Sequence, residues 1–249
     1  MLISILTSTY NSATHIEDAL NSFLIQSYQE KELVVIDGAS QDDTCAKVKA
    51  LVEGQVFQLI SEPDQGIYDA LNKGIQIAKG DVIGILHSDD VFASTDVLRK
   101  VAIAFEQDET LMAVYGDLQY VKRENKDEVI RNWIAGTSSM EKLNWGWMPP
   151  HPTLFIRKTC FLKYGAYDLQ YRSAADYDLI LRFLYRYQIK TAYLPEVMVK
   201  MRVGGTSNVS FKNRWRANQE DRRAMKVNGI SFPFFASLWK PLRKLRQFL

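Results

Sequence analysis

The fold of this chain is decided by the stretch Lys79-Gly80-Asp81-Val82-Ile83-Gly84-Ile85-Leu86-His87-Ser88-Asp89-Asp90. Its apolar run, residues 82–86, predicts a buried strand. Two carboxylates follow shortly after the run, so the strand delivers them to the edge of a sheet. In open α/β sheets, ligands bind beyond the carboxyl ends of the strands. The stretch therefore predicts a strand and a candidate site at its end.

Similar apolar runs alternate with helical stripes along the chain. Before the stretch, strands are predicted at Ile3–Leu6, Leu33–Ile36 and Val56–Ile60, and helices at 16–24, 44–52 and Ile67–Ala78. After it, strands are predicted at Met112–Tyr120 and Thr153–Ile156, helices at 97–105 and Asp176–Tyr187, and a mixed region at 122–150. This alternation predicts an α/β fold with a mainly parallel central sheet flanked by helices on both faces.

The composition is that of a globular protein. The 249 residues are 47% hydrophobic and 24% charged, which excludes a disordered chain, a collagen and a small disulfide scaffold. Charge is unevenly distributed, because seven Lys or Arg and no acidic residue follow Asp221. The first 221 residues hold the other 24 basic residues and all 29 acidic ones. The body is therefore mildly acidic and the C-terminal end distinctly basic.

Neither the cysteines nor the start of the chain indicates secretion. Cys45 and Cys160 lack metal-ligand spacing, which fits a reducing cytoplasm. Residues 1–6 have neither the basic leader nor the long apolar core of a signal peptide. No uninterrupted apolar run approaches the ~20 residues that a membrane-spanning helix needs. We expect a soluble or surface-bound cytoplasmic protein.

Polar residues end three of the predicted strands, at 8–11, 37–43 and 87–90. Their convergence on one sheet edge predicts a single site. The first strand is not followed by G-x-G-x-x-G, and no G-x-x-x-x-G-K-[ST] occurs, which argues against a dinucleotide dehydrogenase and a P-loop enzyme. Adjacent carboxylates favour Mg²⁺ or Mn²⁺, which bridge carboxylates to substrate phosphates.

Four motifs occur along the chain at characteristic spacing. They are Ile3-Ser4-Ile5-Leu6-Thr7-Ser8-Thr9-Tyr10-Asn11, Val34-Val35-Ile36-Asp37-Gly38-Ala39-Ser40-Gln41-Asp42-Asp43-Thr44, Gly66-Ile67-Tyr68-Asp69-Ala70-Leu71-Asn72-Lys73-Gly74 and the stretch 79–90. Together they resemble family 2 glycosyltransferases of the GT-A fold. Arg172-Ser173-Ala174-Ala175-Asp176-Tyr177-Asp178-Leu179 with Arg182 is similar to the segment that carries that family's general base.

The resemblance covers roughly residues 1–210 and implies a domain organisation. A GT-A domain over 1–210 would comprise a nucleotide-binding half, 1–120, and an acceptor-binding half, 121–210. A C-terminal amphipathic helical tail, 211–249, would follow. The implied activity is metal-dependent inverting transfer of a sugar from a nucleoside diphosphate to a glycan or a lipid-linked saccharide acceptor.

The resemblance also assigns roles to individual residues. The general base is Asp176, and the nucleotide-binding residues are Ser8, Tyr10, Asp37, Asn72 and Asp89. Asp89 and Asp90 match the metal motif, with Mn²⁺ or Mg²⁺ as cofactor. His151 would line the donor–acceptor cleft, and Arg202 would reach the diphosphate. A carboxylate at Asp37 accepts from the imino group of uracil, thymine or guanine but finds none on neutral adenine. A UDP-sugar is favoured, and a GDP- or dTDP-sugar is possible.

The chain departs from the family pattern at three positions. His87 stands where an acidic residue is usual, two before Asp89. Ala175 replaces the first carboxylate of a common Glu-Asp pair, and Ser8 replaces a usual proline. These departures leave open what His87 contacts.

Structural alternatives exist for each assignment. Asp37 could organise the Asp-Gly turn, and Asp89-Asp90 could cap a helix starting near Ser94 or Thr95. Asp176 could be only a helix N-cap. His151, expected to be exposed in Pro-Pro-His-Pro, could be an ordinary loop residue, and Arg202 could be a solvated arginine.

The basic, aromatic C-terminal end predicts attachment to an anionic membrane surface. We therefore expect a peripheral protein on the inner face of the membrane, with packing on a partner subunit as the alternative. Nucleic-acid binding is not expected, because the body is acidic and lacks such motifs. Two other functions stay open: a sugar nucleotidyltransferase, whose usual Gly-rich loop is missing here, and a non-catalytic carbohydrate-binding protein.

Overall fold

The computed structural model describes residues 1–52, 57–204 and 211–231, together with Pro233. In this part of the chain the strands are β1 (Ile3–Thr9), β2 (Lys31–Asp37), β3 (Phe57–Ser61), β4 (Val82–Ile85), β5 (Val91–Phe92), β6 (Ala113–Val121), β7 (Val129–Trp133), β8 (Phe155–Arg157) and β9 (Thr191–Arg202). The helices are α1 (Ile16–Leu24), α2 (Thr44–Leu51), α3 (Ile67–Ile77), α4 (Val97–Gln107), α5 (Met140–Asn144), α6 (Lys158–Tyr164), α7 (Ala175–Ile180) and α8 (Phe211–Val227). A 3₁₀ turn covers His151–Thr153, and a π-helix, Leu181–Arg186, continues α7.

All of these strands belong to one sheet in the order β3-β2-β1-β4-β8-β6-β9-β5, with β7 paired to β6. The four strands β3, β2, β1 and β4 are parallel, because each is linked to the next along the chain by a helical crossover. Beyond β4, the sheet is mixed: β8 is antiparallel to β4 and β6, while β9 is parallel to β6. The predicted α/β sheet is confirmed, but its mainly parallel character holds only for the first half.

Apolar side chains bury both faces of the sheet. Ile3 and Ile5 of β1 pack into a core with α1, α2 and α4, whereas Leu6 faces a second core with α3, α5, α6 and α7. Successive residues of a strand point to opposite faces, so a strand covered on both sides reads as an uninterrupted apolar run. This is why short apolar runs identified β1, β2 and β4.

The predicted elements agree with the observed ones to within a few residues, with two differences. The helix predicted over Asp176–Tyr187 is α7 followed by the π-helix. The helix expected near Ser94 or Thr95 is α4, which begins at Val97 with Asp96 at its N-cap. The short strand β5 separates it from Asp90, so the interpretation of Asp89-Asp90 as a helix cap is wrong.

The first part of the predicted tail packs on the domain. Ala224, Met225 and Ile230 are buried in the same core as α7, and Asn228 Nδ2 donates to Asp178 Oδ1 at 2.8 Å. The aromatic and basic segment predicted to attach to membranes falls on residue 232 and residues 234–249, which lie outside the described residues. Within the residues described, no helix has the length and apolarity required to cross a membrane.

Candidate active site

The loops that follow β1, β2 and β4 form a cradle at the carboxyl edge of the sheet. Two hydrogen bonds join the first two loops: Asn11 N donates to Ser40 Oγ at 2.8 Å, and Ser12 N donates to Thr44 Oγ1 at 2.8 Å. Ser88, in the loop after β4, reaches Ser12 with a hydroxyl contact of 3.0 Å. The chain passes from β1 to β2 on one side and returns to β4 on the other, which is where ligands bind in such sheets.

Asp37 lies at the end of β2 and organises the second loop. Its Oδ2 accepts from Ser40 N at 2.9 Å and from Ser61 Oγ at 2.6 Å. Burial by itself raises the pKa of Asp37, but the hydrogen bonds from Ser40 and Ser61 outweigh it and lower the pKa overall. The turn-organising alternative therefore describes what the carboxylate does, and its side chain has no exposed surface. The contact with a base stays a prediction.

Ser8, near the end of β1, and Tyr10, in the loop that follows β1, lie on one side of the cradle. The Tyr10 ring is 61% exposed, whereas Ser8 is half-buried opposite Ile36 of β2. Gly38 lies beneath that ring, since a Cβ at this position would come within 3.4 Å of Tyr10 Cδ2 and 2.8 Å of Asp64 Oδ2. Asp64 was not predicted from the sequence, because only the folded chain brings it next to Gly38. An exposed aromatic face of this kind can stack on a nucleobase.

Asp89 and Asp90 follow β4 but have different surroundings. The Asp89 carboxylate is partly exposed, and its Oδ2 lies 3.7 Å from Arg123 Nη1. Asp90 is buried: Oδ1 accepts from Arg202 N at 3.2 Å, while Oδ2 has no hydrogen-bond partner within the described residues. Burial raises the pKa of Asp90 well above its usual range, and the adjacent Asp89 raises it further.

This carboxylate pair fits a divalent cation. Oxygen ligands are what Mg²⁺ and Mn²⁺ prefer, and the unpartnered oxygen of Asp90 is an acceptor that a cation nearby would stabilise. Among the described residues, no group of three or more His, Cys, Asp or Glu side chains could hold a metal. Further ligands would then come from substrate phosphates and water, as is usual for Mg²⁺.

Arg202 is not a solvated arginine, because its side chain binds the turn that carries Asp89. Its guanidinium is buried, with Nη1 donating to the Asp89 carbonyl at 2.6 Å and Nε donating to the Arg123 carbonyl at 2.9 Å. Its Nη2 forms a short ion pair with Asp18 of α1. Three of its nitrogens thus bind protein atoms, so the structure favours a supporting role over the predicted contact with a diphosphate.

Two histidines lie close together deeper in the cleft. His87 and His151 have ring centroids 6.3 Å apart. Burial, and to a smaller extent His151, lowers the pKa of His87 to about 4, against the opposing influence of Asp89 and Asp176. Asp89 and Asp176 thus both favour the charged form of His87 electrostatically, which the sequence interpretation did not anticipate.

The expectation that His151 is exposed is wrong. Its side chain is buried in the 3₁₀ turn after Pro150, and its Nε2 lies 2.8 Å from Tyr167 Oη. Burial lowers the pKa of His151 to about 4. Both rings are accordingly neutral near pH 7. A neutral imidazole has one donor and one acceptor nitrogen, so it can orient hydroxyl groups without adding charge to the cleft.

Asp176 is the second residue of α7, and Ala174 occupies the N-cap. The interpretation of Asp176 as an N-cap is therefore wrong. Its Oδ1 accepts from Tyr68 Oη at 3.1 Å and from Tyr177 N at 2.8 Å. Tyr68 belongs to the motif over 66–74 but received no role from the sequence, since its partner lies 108 residues away in the chain.

Asn72 was predicted to bind the nucleotide, but its side chain binds protein. Its Nδ2 donates to the Tyr167 carbonyl at 2.9 Å, and its Oδ1 accepts from Tyr167 N at 2.9 Å. The amide is thus committed to the loop that carries Tyr167. The structure gives Asn72 a supporting role beside the cleft.

Comparison with known proteins gives a family and a fold. The model of the family described as Glycosyl transferase family 2 matches residues 4–165. A relative named PGL/p-HBAD biosynthesis glycosyltransferase, from Mycobacterium bovis, is 31% identical over 210 residues, which cover 83% of this chain and 79% of the relative.

Two solved structures have folds similar to that of this chain. S. aureus TarS 1–349 in complex with UDP has a TM-score of 0.68 and 18% identity, covering 92% of this chain and 65% of that one. This chain therefore spans about two thirds of the length of TarS 1–349. Mannosyltransferase PcManGT from Pyrobaculum calidifontis, in complex with GDP-Man and Mn²⁺, has a TM-score of 0.67 and 18% identity, covering 98% and 73%. The predicted GT-A fold is confirmed.

Proposed function

Because the chain belongs to glycosyl transferase family 2, we propose that this glycosyltransferase moves a sugar from a nucleoside diphosphate to an acceptor hydroxyl with inversion. The observation that carries the proposal is a continuous series of contacts from the turn that bears Asp89 to Asp176: His87 lies beside His151, His151 contacts Tyr167, Tyr167 stacks on Tyr68, and Tyr68 Oη donates to Asp176 Oδ1. One carboxylate thus lies on the donor side of the cleft and the other is available to the acceptor.

The reaction is a single displacement at the anomeric carbon. Asp176 takes the proton of the acceptor hydroxyl as that oxygen attacks the anomeric carbon. The bond from the anomeric carbon to the diphosphate oxygen breaks at the same time, and the nucleoside diphosphate leaves with the electron pair. Attack from the face opposite the leaving group inverts the anomeric configuration, so an α-linked donor gives a β-glycoside.

The chain's own residues hold the donor in place. Asp89 is the carboxylate that faces the cleft, and Asp90 and Arg202 support its turn from below. A bound Mg²⁺ or Mn²⁺ would neutralise the charge that develops on the leaving diphosphate, an effect worth several kcal/mol. The Mn²⁺ in the PcManGT structure, and the carboxylate chemistry of Asp89 and Asp90, support this proposal.

The nucleotide base lies against Tyr10 and the loop that Asp37 organises. UDP is the favoured nucleotide, and GDP and dTDP are the alternatives. The UDP bound by TarS supports this order. A direct contact with Asp37 predicts that wild type binds UDP better than UDP methylated at N3, and that Asp37→Ala, which has no side-chain acceptor, loses this preference. Ser61→Ala is the matched control, since it removes one hydrogen bond to Asp37 but keeps the carboxylate. If wild type binds both nucleotides equally, Asp37 acts only on the loop.

The acceptor is a glycan or a lipid-linked saccharide, presented to the enzyme at the inner face of a membrane. The basic, aromatic composition of the C-terminal end supports this location. Such a location brings the cleft to an acceptor that cannot leave the bilayer.

A donor screen tests the proposed function. UDP-, GDP- and dTDP-sugars are compared by thermal shift with and without Mn²⁺, because a ligand bound only by the folded state raises the melting temperature. The stabilising donor is then incubated with candidate acceptors, and the anomeric configuration of the product is determined by NMR. Release of a nucleoside diphosphate with an inverted product supports the proposal. A retained configuration contradicts inversion, and formation of a nucleoside triphosphate and a sugar 1-phosphate from the donor and added pyrophosphate would indicate a nucleotidyltransferase.

A further inference from the structure

We propose that Tyr68 is a positioning residue that orients the carboxylate of Asp176 for proton transfer. This inference rests on the proposed function, in which Asp176 is the general base. The Tyr68 hydroxyl lies 3.1 Å from Asp176 Oδ1 and 3.5 Å from the Ser173 carbonyl oxygen. The shorter contact, to the more strongly accepting group, is the one that the hydroxyl hydrogen makes.

Tyr68 can orient Asp176 because its own ring is held in place. It stacks on the ring of Tyr167, with centroids 5.5 Å apart and planes inclined by 27°. Tyr167 is in turn fixed through its backbone by Asn72, which lies one turn further along α3. Residues at i and i+4 share a helix face, so Tyr68 and Asn72 contact the acceptor-side half from the same side of α3.

Helix α3 is itself a rigid support. Gly74 lets it approach the sheet closely, since a Cβ there would lie 2.6 Å from Ile36 Cδ1 and 3.3 Å from Leu6 Cδ1. Ala70 and Leu71 are buried in the same core. The donor of the hydrogen bond therefore belongs to an element packed on β1 and β2, the strands that carry the nucleotide loops. This arrangement sets the position of the base relative to the donor.

Two donors hold Oδ1 of Asp176: Tyr177 N, from the same helix, and the Tyr68 hydroxyl, which fixes the carboxylate relative to α3. Binding of one oxygen by Tyr68 sets the direction of the proton-accepting lone pairs. Misplacement of a reacting group by about 1 Å can cost ~10²-fold in rate. Burial raises the pKa of Tyr68, and the nearby Asp176 raises it further, so the hydroxyl stays protonated and remains a donor.

Tyr68→Phe tests the inference, since it removes the hydroxyl and keeps the ring that stacks on Tyr167. We expect kcat to fall about tenfold, which is less than the ~10²-fold loss that a displacement of about 1 Å can cause. The KM and Kd for the donor and the melting temperature should change little. Tyr28→Phe is the matched control. Tyr28 Oη donates to the Met1 carbonyl at 2.6 Å, and Tyr28 packs on the opposite face of the sheet from Tyr68. The control should keep full kcat.

A double-mutant cycle shows whether Tyr68 acts through Asp176. In an Asp176→Asn background, Tyr68→Phe should cause no further loss of kcat, whereas independent roles would multiply. Multiplied losses, or an unchanged kcat in Tyr68→Phe while Asp176→Asn is impaired, would overturn the inference and leave the proposed function intact. A normal kcat in Asp176→Asn would overturn the assignment of the base and the inference with it.

Discussion

Asn72 holds Tyr167 through the backbone, with its side-chain nitrogen and oxygen each 2.9 Å from the carbonyl oxygen and amide nitrogen of that one residue. This pair of hydrogen bonds joins the nucleotide-side helix α3 to the loop that places Tyr167 against His151. Asn72, which the sequence predicted to bind the nucleotide, thus connects α3 to the loop on the other side of the cleft.

Asn72→Ala should destabilise the fold and leave nucleotide affinity nearly unchanged. The variant loses two partly buried hydrogen bonds, each with a net contribution of about 0.5–1.5 kcal/mol. We therefore expect the free energy of unfolding to fall by about 1–3 kcal/mol. Chemical denaturation and calorimetry with the preferred nucleotide measure the two quantities. Asn132→Ala is the control, because Asn132 only accepts from Gln119 in an exposed cross-strand pair. Unchanged stability with a large loss of affinity would restore the role predicted from the sequence.

The strands and the site's carboxylates could be predicted from the sequence because they depend on local patterns. β1, β2 and β4 are apolar runs buried on both faces, and their polar ends must meet at one sheet edge. The hydrogen bonds of Asn72 and the burial of His151 could not be predicted, because both depend on Tyr167, which is 95 and 16 residues away. A single residue's chemistry does not reveal whether its partner is a ligand or a distant backbone group.

Asp89→Asn and Asp90→Asn should differ in their effect on stability while both impair turnover. Asp89 is partly exposed, so its replacement should raise the concentration of divalent cation that turnover needs, with little change in folding. Asp90 buries a carboxylate oxygen that has no partner within the described residues. Because burial opposes ionisation of this carboxylate, a neutral amide at this position removes that cost, so the metal-free protein should melt at a higher temperature.

Activity against added Mn²⁺ and melting in excess chelator measure these effects. Asp127→Asn is a control for charge, because Asp127 is an exposed partner of Lys200. Full wild-type activity in excess chelator would exclude the metal, and a lower melting temperature for Asp90→Asn would show that its carboxylate stabilises the fold.

The stability of the protein should fall as the pH drops from 7 toward 4. His151 has its pKa lowered by burial to about 4, so between that value and about 6.5 the unfolded chain binds a proton that the folded one does not. The free energy of unfolding then decreases by up to about 1.4 kcal/mol per pH unit for one such histidine. The neighbouring His87 contributes in the same direction.

His151→Gln should make that pH dependence shallower by about one proton, since glutamine can still bond Tyr167 Oη but does not titrate. Denaturation at a series of pH values gives the slope. His15→Gln should also make the slope shallower, because burial lowers the pKa of His15 as well. An identical slope in His151→Gln would mean that His151 titrates alike in the folded and the unfolded protein, so that burial does not lower its pKa.

The C-terminal end should bind anionic vesicles. The four basic residues Lys240, Arg243, Lys244 and Arg246 contribute on the order of 4 kcal/mol at most, at ~1 kcal/mol each near such a surface. A chain ending at Ser231 keeps Ile230, which is buried in the core, and should fold but fail to sediment with the vesicles. A full-length variant with the four residues changed to Gln separates charge from aromatic insertion. Equal sedimentation of the full and shortened chains would contradict attachment by this segment.

The central claim, that Asp176 removes the acceptor proton, is tested most directly by the kcat of Asp176→Asn. Asparagine preserves the size of the side chain and the start of α7 but cannot accept the proton. General-base catalysis typically contributes ~10²–10⁴-fold, so we expect kcat to fall at least ~10²-fold. Affinity for the donor nucleotide should be nearly unchanged, because the proposed role of the carboxylate is toward the acceptor. A kcat close to that of wild type would contradict the account and assign the base to another residue, with His151 the first to examine.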